Sequence, residues 1–248
     1  MTDDRAMTPA APLLELVDVH ASYGPYRALF GVSLAVPEGS AVALLGANGA
    51  GKSTVARVAT GLLPVTAGAI RFAGMDVTGT RTYQLARLGI ALAPEGRSVF
   101  ASLTVEDNLS LRFRETVGRA GMARALDRAY AAFPQLGRRR RQIAGTLSGG
   151  EQRILSLAAL LVDPPRLLIV DELSLGLAPV VIEEVFRTLT DIRDRGTALL
   201  VIEQRVNQAL SLAQLAVVLD RGRVTYTGPP SDVTGFLSGM PGADAAAG

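Results

Sequence analysis

The chain has 248 residues, 48% of them hydrophobic, and carries a formal net charge of +2 at pH 7. These values are typical of a folded protein with one large or two small domains, and they exclude a disordered or strongly charged chain. So small a net charge argues against nucleic acid as the main partner. The sequence contains no cysteine, which excludes disulfides and thiolate metal sites and is consistent with a cytosolic protein.

The sequence predicts no segment that crosses a membrane. Its first residues are acidic and lack an apolar stretch, so we expect no signal peptide. No apolar run reaches the roughly 18 residues of a membrane-spanning helix, because Asp163 and Arg166 interrupt the best candidate. Any association with a membrane is therefore expected to come through a partner. The four consecutive arginines at 138–141 are expected to form a solvated helix end or loop.

Predicted strands and helices alternate along the chain. In its first part, apolar runs predict strands at residues 13–20, 32–36, 41–45 and 90–93, and a helix is predicted from residue 53 to about 60. A helical stretch follows, with helices at residues 105–113, 120–133 and 150–161. Alternation then resumes, with strands at residues 167–170, 198–202, 215–219 and 223–226 and helices at residues 180–193 and 206–212.

This order of elements predicts the fold class. Strands that alternate with helices favour an α/β protein with a mostly parallel sheet covered on both faces. We assign residues 11–95 and 162–236 to this core and residues 96–161 to an inserted helical subdomain. Residues 1–10 and 237–248 are expected to be flexible tails.

The segment from Gly46 to Thr54 predicts a phosphate-binding loop. It matches the pattern G-x-x-x-x-G-K-[ST] without a mismatch, and it lies between a buried strand and a helix, as such a loop requires. Its Lys52 is the only lysine among the 25 basic residues. A compact ammonium can neutralise the β- and γ-phosphates, and the Ser53 hydroxyl can reach Mg²⁺. The predicted nucleotide contacts of the loop are Gly46, Asn48, Gly49, Ala50, Gly51, Lys52, Ser53 and Thr54.

A second motif places two carboxylates at the end of a strand. Four apolar residues, 167–170, are followed directly by Asp171 and Glu172. Asp171 suits the coordination of Mg²⁺ through a water molecule, and Glu172 suits a base that polarises an attacking water. Apolar strands that end in an acid are common, so this motif indicates a nucleotide site only in combination with the phosphate loop that precedes it.

The third motif, Ser148-Gly149-Gly150, opens the helix before the acidic strand and has two interpretations. Ser148 and Glu151 can form a capping box, which is a purely structural role. The same turn can also bind an anion through its backbone N–H groups. Both can hold at once. One nucleotide does not need two such turns far apart in sequence, so we expect this one to complete a site on another subunit.

Together and in this order, the three motifs resemble the ATP-binding cassette (ABC) family of transporter ATPases, over about residues 13–235. The resemblance implies a P-loop NTPase (RecA-like) core with an antiparallel β edge and an inserted helical signature subdomain. It implies ATP and Mg²⁺ as cofactors, bound between two cassettes. Ser148, Gly149 and Gly150 would contact the γ-phosphate held by the partner, and Tyr23 would stack on adenine.

Several positions depart from the general family pattern and narrow the resemblance. Glu95, predicted to act at the metal, stands where glutamine is usual, and Gln204 stands in place of the switch histidine. With the segments Pro-Glu-Gly-Arg and Ser-Leu-Gly-Leu-Ala-Pro, these departures are similar to an ATPase subunit of branched-chain amino acid importers. Leu173 and Arg205 depart even from that subfamily, which usually has proline and asparagine there.

The resemblance therefore predicts an ATP-hydrolysing subunit that energises uptake of branched-chain or related amino acids. Its expected partners are a second cassette, identical or different, integral membrane permease subunits and, indirectly, a solute-binding protein. Its expected location is peripheral, at the cytoplasmic face of the membrane. The alternatives are a transporter of amides, urea or other small solutes and, less favoured, a soluble ABC ATPase. The signature turn argues against an unrelated P-loop kinase or GTPase.

Overall fold

The computed structural model of the protein describes residues 12–93, 99–162, 164–174, 177–203 and 206–238. Its strands are β1 (Pro12–Tyr23), β2 (Tyr26–Pro37), β3 (Ala41–Leu45), β4 (Val65–Phe72), β5 (Met75–Asp76), β6 (Ile90–Ala93), β7 (Leu167–Asp171), β8 (Ala198–Ile202), β9 (Leu215–Asp220) and β10 (Arg223–Gly228). Its helices are α1 (Lys52–Ala59), α2 (Thr82–Arg87), α3 (Val105–Thr116), α4 (Gly118–Ala132), α5 (Pro134–Arg138), α6 (Gly149–Val162), α7 (Pro179–Asp194), α8 (Val206–Leu212) and α9 (Pro230–Ser238).

A six-stranded sheet in the order β10-β9-β3-β8-β7-β6 carries the site at one edge. The neighbours from β9 to β6 pair in parallel, and β10 pairs with β9 in antiparallel fashion. Parallel strands end at the same edge of a sheet, so the residues that follow β3, β7 and β8 are brought together. These are the glycine loop from Gly46, Glu172 after the last residue of β7, and Glu203.

Alternate residues of the central strands face two different apolar cores. Val42 and Leu44 of β3 belong to a core shared with α1 and a second sheet, whose strand order is β2-β1-β4-β5 and whose pairs are antiparallel. Ala41, Ala43 and Leu45 face the opposite core, which includes α7 and α8. Burial on both faces explains why this strand is apolar throughout.

A third apolar core lies among helices α3 to α6. Phe113 is fully buried there, and Leu109 and Leu155 are 0% and 1% exposed. A short 3₁₀ turn at Ala144–Thr146 leads from this core to α6. A core separate from those of the sheets supports an inserted helical unit, and the proposed boundaries at residues 96–161 stay a prediction.

The fold class predicted from the sequence is confirmed, and several element boundaries are corrected. β1 and β2 extend beyond the predicted residues 13–20 and 32–36, because their antiparallel pairing continues to Tyr23 and Tyr26 at the turn between them. No prediction covered β4, β5, α2, α5 or α9. α2 buries only Leu85, too little to create a helical period in the sequence. Pro134 begins α5 as well as following α4.

The turn between β9 and β10 holds the phosphate-loop segment against the sheet. Gly222 donates its N–H to the carbonyl oxygen of Ala50 at 2.8 Å and accepts from the N–H of Phe30 at 2.9 Å. Arg221 and Gly222 have φ values of 45° and 74°, the two positive values of a tight hairpin turn. A Cβ atom at Gly222 would overlap the carbonyl oxygen of Ala28. Glycine is therefore required here by crowding as well as by conformation.

We predict that Gly222→Ala destabilises the protein by about 3 kcal/mol or more, because backbone strain and overlap add. The matched control is Gly74→Ala in the turn between β4 and β5. That turn also has two positive φ values, 50° at Ala73 and 76° at Gly74, but nothing lies within 4 Å of an added Cβ. The control should cost about 1–2 kcal/mol. Urea unfolding measures both, and equal losses would refute the crowding.

Candidate active site

Lys52 lies at the start of α1 with its ammonium folded back onto the loop before it. Its side chain is 4% exposed, and Nζ donates to the carbonyl oxygens of Gly46 and Ala47 at 2.7 and 3.0 Å. The predicted loop residues differ in exposure, since Asn48 and Gly49 are exposed at its tip whereas Ala50 and Thr54 are buried. The loop therefore surrounds one buried positive charge.

Two acidic residues from β7 and the turn after it face this charge. Glu172 Oε1 lies 3.9 Å from Lys52 Nζ. The Ser53 hydroxyl donates to Asp171 Oδ1 at 3.2 Å, and Asp171 is 7% exposed. The structure thus brings together four residues that the sequence predicted separately, from motifs 118 positions apart.

The electrostatics of Lys52 reflect burial and compensation. Burial lowers the pKa of its ammonium below the ordinary value of 10.5, and the negative charges of Glu172, Asp171 and Glu203 partly offset this. A charge removed from water is tolerated only where hydrogen bonds and opposite charges replace the solvent. The loop carbonyls and the acidic pair supply both.

Glu172 is held in an uncommon backbone conformation. Its φ is 47°, in the left-handed region that residues other than glycine rarely adopt. Its N–H donates to the carbonyl oxygen of Ile202 at 2.9 Å, and its carbonyl accepts from Arg153 Nη2 at 2.9 Å. Arg153 lies on α6 and is 5% exposed. Sequence reasoning missed this arginine, although its place directly before the largely apolar run 154–162 was a usable signal.

A second contact fixes the turn behind Glu172. Glu203, after β8, is 1% exposed and accepts two hydrogen bonds from Ser174. The Ser174 N–H donates to Oε1 at 3.0 Å, and its hydroxyl donates to Oε2 at 2.7 Å. Nothing in the sequence predicts this pair, because its members are 29 positions apart and only the fold brings them together.

Tyr23, the predicted adenine contact, is the last residue of β1 and is 39% exposed. Its hydroxyl accepts from Arg57 Nη1 at 2.9 Å, and the guanidinium carbon lies 5.8 Å from the ring centroid. Arg57 belongs to α1, so the tyrosine is held by the helix that the phosphate loop precedes. An accessible ring next to a cation suits stacking with a planar base.

The turn Ser148-Gly149-Gly150 forms the capping box that the sequence predicts. The Ser148 N–H donates to Glu151 Oε2 at 2.9 Å, and the Glu151 N–H donates to Ser148 Oγ at 3.3 Å. Ser148 is exposed, and Arg139 lies 3.2 Å from Glu151 Oε1. All four arginines at 138–141 are exposed at the end of α5 and in the turn after it, which confirms the predicted solvated helix end or loop. The contacts of this turn are thus with its own helix and Arg139.

Two predicted site residues, Glu95 and Gln204, lie outside the described residues, as does Arg205. Within the described part of the chain, no helix is long and apolar enough to cross a bilayer.

The sequence pattern that defines ABC transporters matches residues 29–174, from β2 to the turn after Glu172. The chain belongs to the ABC transporter ATP-binding family. It is an ATP-hydrolysing ABC ATPase, and subunits of this family bind ATP and work with permease components in transporter complexes. The family resemblance and the enzyme class predicted from the sequence are thereby confirmed.

Three comparisons place this ABC ATPase among its relatives. It is 41% identical over 212 residues to the high-affinity branched-chain amino acid transport ATP-binding protein BraG of Pseudomonas aeruginosa, covering 86% of this chain and 91% of that protein. It is 35% identical over 222 residues to the probable branched-chain amino acid transport ATP-binding protein LivF of Archaeoglobus fulgidus, covering 89% and 94%. A solved ATP-binding subunit of an ABC transporter, 28% identical, matches with a TM-score of 0.80 over 91% of this chain and 93% of that one.

The buried ammonium of this ABC ATPase predicts a pH dependence of stability. Since the pKa of Lys52 is lower in the folded protein, the unfolded chain binds more protons between that lowered pKa and 10.5. The contribution of Lys52 to the free energy of unfolding should therefore rise with pH across this window and stay constant below it.

The measurement is urea unfolding of the wild type and Lys52→Met, from about neutral pH towards the alkaline end of the window. Groups shared by both proteins cancel in the difference between their free energies of unfolding. That difference should grow with pH in favour of the wild type. A difference that is constant or falls with pH would contradict the lowered pKa.

Proposed function

We propose that this chain is the ATP-hydrolysing subunit of an ABC importer that energises uptake of branched-chain or related amino acids through a membrane permease. The observation that carries the ATPase part is the convergence of Lys52, Ser53, Asp171 and Glu172 at one edge of the parallel sheet. The substrate class is supported by two relatives, 41% and 35% identical, which are described as a branched-chain amino acid transport ATP-binding protein and a probable one.

In this proposal each site residue has a distinct task. Lys52 and the loop N–H groups bind the phosphate chain, and Tyr23 stacks on adenine. Ser53 and Asp171 would hold Mg²⁺, since their oxygens lie 3.2 Å apart and oxygen donors suit this cation. Glu172 polarises the attacking water, and Mg²⁺ supplies charge neutralisation at the phosphates. Glu95 and Gln204 are proposed to complete the metal site and the γ-phosphate contacts.

The signature turn is proposed to act on a second subunit. Ser148 is exposed although its hydroxyl already caps α6, so the turn presents polar groups outward. Gly149 and Gly150 leave the backbone of the first helical turn accessible to an anion. ATP bound by one subunit would thus be closed off by Ser148, Gly149 and Gly150 of another, identical or different.

We predict that Glu172→Gln binds ATP but loses turnover by about a hundredfold or more, because an amide cannot act as the base. With hydrolysis stalled, ATP should trap a dimer, either of this chain or with its partner cassette. Radiolabelled ATP turnover and size-exclusion chromatography with light scattering measure the two effects. Normal turnover of the variant would show that Glu172 is not the catalytic base.

The site shared between two subunits is tested by Ser148→Asp in the Glu172→Gln background. Aspartate is as good a helix cap as serine, so the free energy of unfolding should change little. A carboxylate facing the γ-phosphate should nevertheless prevent the ATP-dependent dimer by charge repulsion. A dimer that persists unchanged would show that this turn does not approach the nucleotide.

A groove between the sheet and the helical unit is the proposed permease surface. It encloses about 500 Å³ and is lined by Leu62, Leu92, Phe100, Leu111 and Leu155 among others. Phe100 and Leu62 are 63% and 56% exposed, so their apolar surface faces solvent in the isolated chain. Exposed apolar patches of this kind mark protein contacts, and a cytoplasmic helix of a permease fits such a groove.

The full assembly tests this proposal. Co-expressed with the permease from neighbouring genes, the wild type should co-purify in detergent, whereas Phe100→Asp should lose the permease because a charge enters the apolar contact. Met75→Asp is the control, since Met75 is 52% exposed but lies on β5, which does not line the groove. Retention of the permease by Phe100→Asp would refute the groove assignment.

The substrate is tested by uptake with the same assembly. Vesicles containing the complex and its solute-binding protein should accumulate labelled leucine, isoleucine or valine when ATP is supplied. Uptake of amides or urea alone would replace the amino acid assignment by the alternative small-solute importer. Absence of any ATP-dependent uptake, with ATPase activity intact, would favour a soluble ABC ATPase.

A further inference from the structure

We propose that Glu203 is a positioning residue for catalysis, which holds Glu172 in place through Ser174. The Ser174 N–H and hydroxyl both donate to the Glu203 carboxylate, and we call this pair of hydrogen bonds the Glu203–Ser174 brace. The inference rests on the proposed role of Glu172 as the base and adds a residue that no motif assigns.

The brace consists of two hydrogen bonds to one buried carboxylate. Both oxygens of Glu203 are engaged, one by the Ser174 N–H at 3.0 Å and one by its hydroxyl at 2.7 Å. Glu203 and Ser174 are 1% and 5% exposed, so water does not compete for these bonds. Hydrogen bonds to a charged acceptor in such a site are short and strong.

The position of the brace connects two neighbouring strands beyond their regular pairing. β7 and β8 pair in parallel up to Asp171 and Ile202, and the Glu172 N–H continues the ladder by donating to Ile202. After this point the chain turns away from the sheet. Ser174 is then tied to Glu203, the residue that follows Ile202, so the turn is fixed on both sides of Leu173.

The brace matters because Glu172 is held in a strained conformation. A left-handed residue with a side chain costs about 1–2 kcal/mol and persists only where its surroundings over-determine it. Here the determinants are the Ile202 carbonyl, Arg153 and the brace. Loss of the brace would let the turn relax to an ordinary φ and would move the Glu172 carboxylate away from the attacking water.

A buried charge is not needed if Glu203 only fills space. Glutamine has nearly the same shape, but its amide offers one acceptor oxygen where two donors of Ser174 point. When that oxygen accepts from the backbone N–H, the amide –NH2 faces the hydroxyl, which must turn from donor to acceptor, and the charge-assisted bond of 2.7 Å is lost. Glu203→Gln therefore separates the hydrogen bonds from the packing.

The test measures kcat and KM for ATP of the full chain, as isolated or in its transporter complex. Glu203→Gln and Ser174→Ala should each lower kcat by about tenfold and leave KM and ATP affinity within about twofold, since neither change removes a contact of the phosphate loop. Ser174→Thr keeps both donors and should restore kcat to within about twofold of wild type. Glu38→Gln, an exposed glutamate paired with Arg166, is the control and should have no effect.

The double variant Glu203→Gln with Ser174→Ala gives the decisive number. If the two residues act as one unit, its kcat should be no lower than that of the more severe single variant. Additive losses, unchanged kcat in Glu203→Gln, or equal losses of activity and folded protein would each overturn the proposal. Failure of the proposed function is distinguishable, because then Glu172→Gln itself would leave wild-type turnover intact.

Discussion

The charge of Lys52 is the constraint on which the rest of the site depends. An ammonium removed from water loses several kcal/mol of solvation, and local sequence alone cannot replace it. The loop carbonyls of Gly46 and Ala47 supply part of the compensation, and the carboxylates of Asp171, Glu172 and Glu203 supply the rest. Because β8 lies between β3 and β7 in the sheet, the phosphate loop and the acids meet only when all three strands are assembled. The site is therefore a property of the sheet order.

The same sheet order explains why the end of β8 is adjacent to both parts of the site. Its last carbonyl, at Ile202, extends the ladder to Glu172, and Glu203 reaches the turn behind it. Glu203 also adds negative charge near Lys52, as its effect on the pKa of that ammonium indicates. The buried carboxylate of Glu203 thus contributes to the position of Glu172 and to the electrostatic potential around Lys52 in the phosphate loop.

What could be predicted from the sequence was determined by local chemistry. Lys52, Ser53 and Asp171 lie in contiguous motifs whose flanking strands are apolar on both faces. The identity of these residues and their common sheet edge can therefore be predicted from the sequence. Arg57 and Gly222 act through contacts with Tyr23 and Ala50 that depend on how distant segments pack. The strands of the antiparallel sheet are harder to predict from the sequence for a related reason. β4 is largely exposed, and Gly68 breaks its alternation of apolar and polar residues. Long-range pairing, rather than periodicity, defines these elements.

Leu173 shows how the turn after the acidic strand is stabilised in this chain. Its side chain is 1% exposed and packs into the core shared with α7 and α8, whereas a proline would restrain the backbone through its ring. A leucine leaves φ free, so restraint must come from side-chain burial on one side and hydrogen bonds on the other. Burial anchors residue 173, and the Glu203–Ser174 brace fixes the next residue. The departure from the usual proline therefore coincides with a turn that is held by tertiary contacts, and the left-handed Glu172 depends on them.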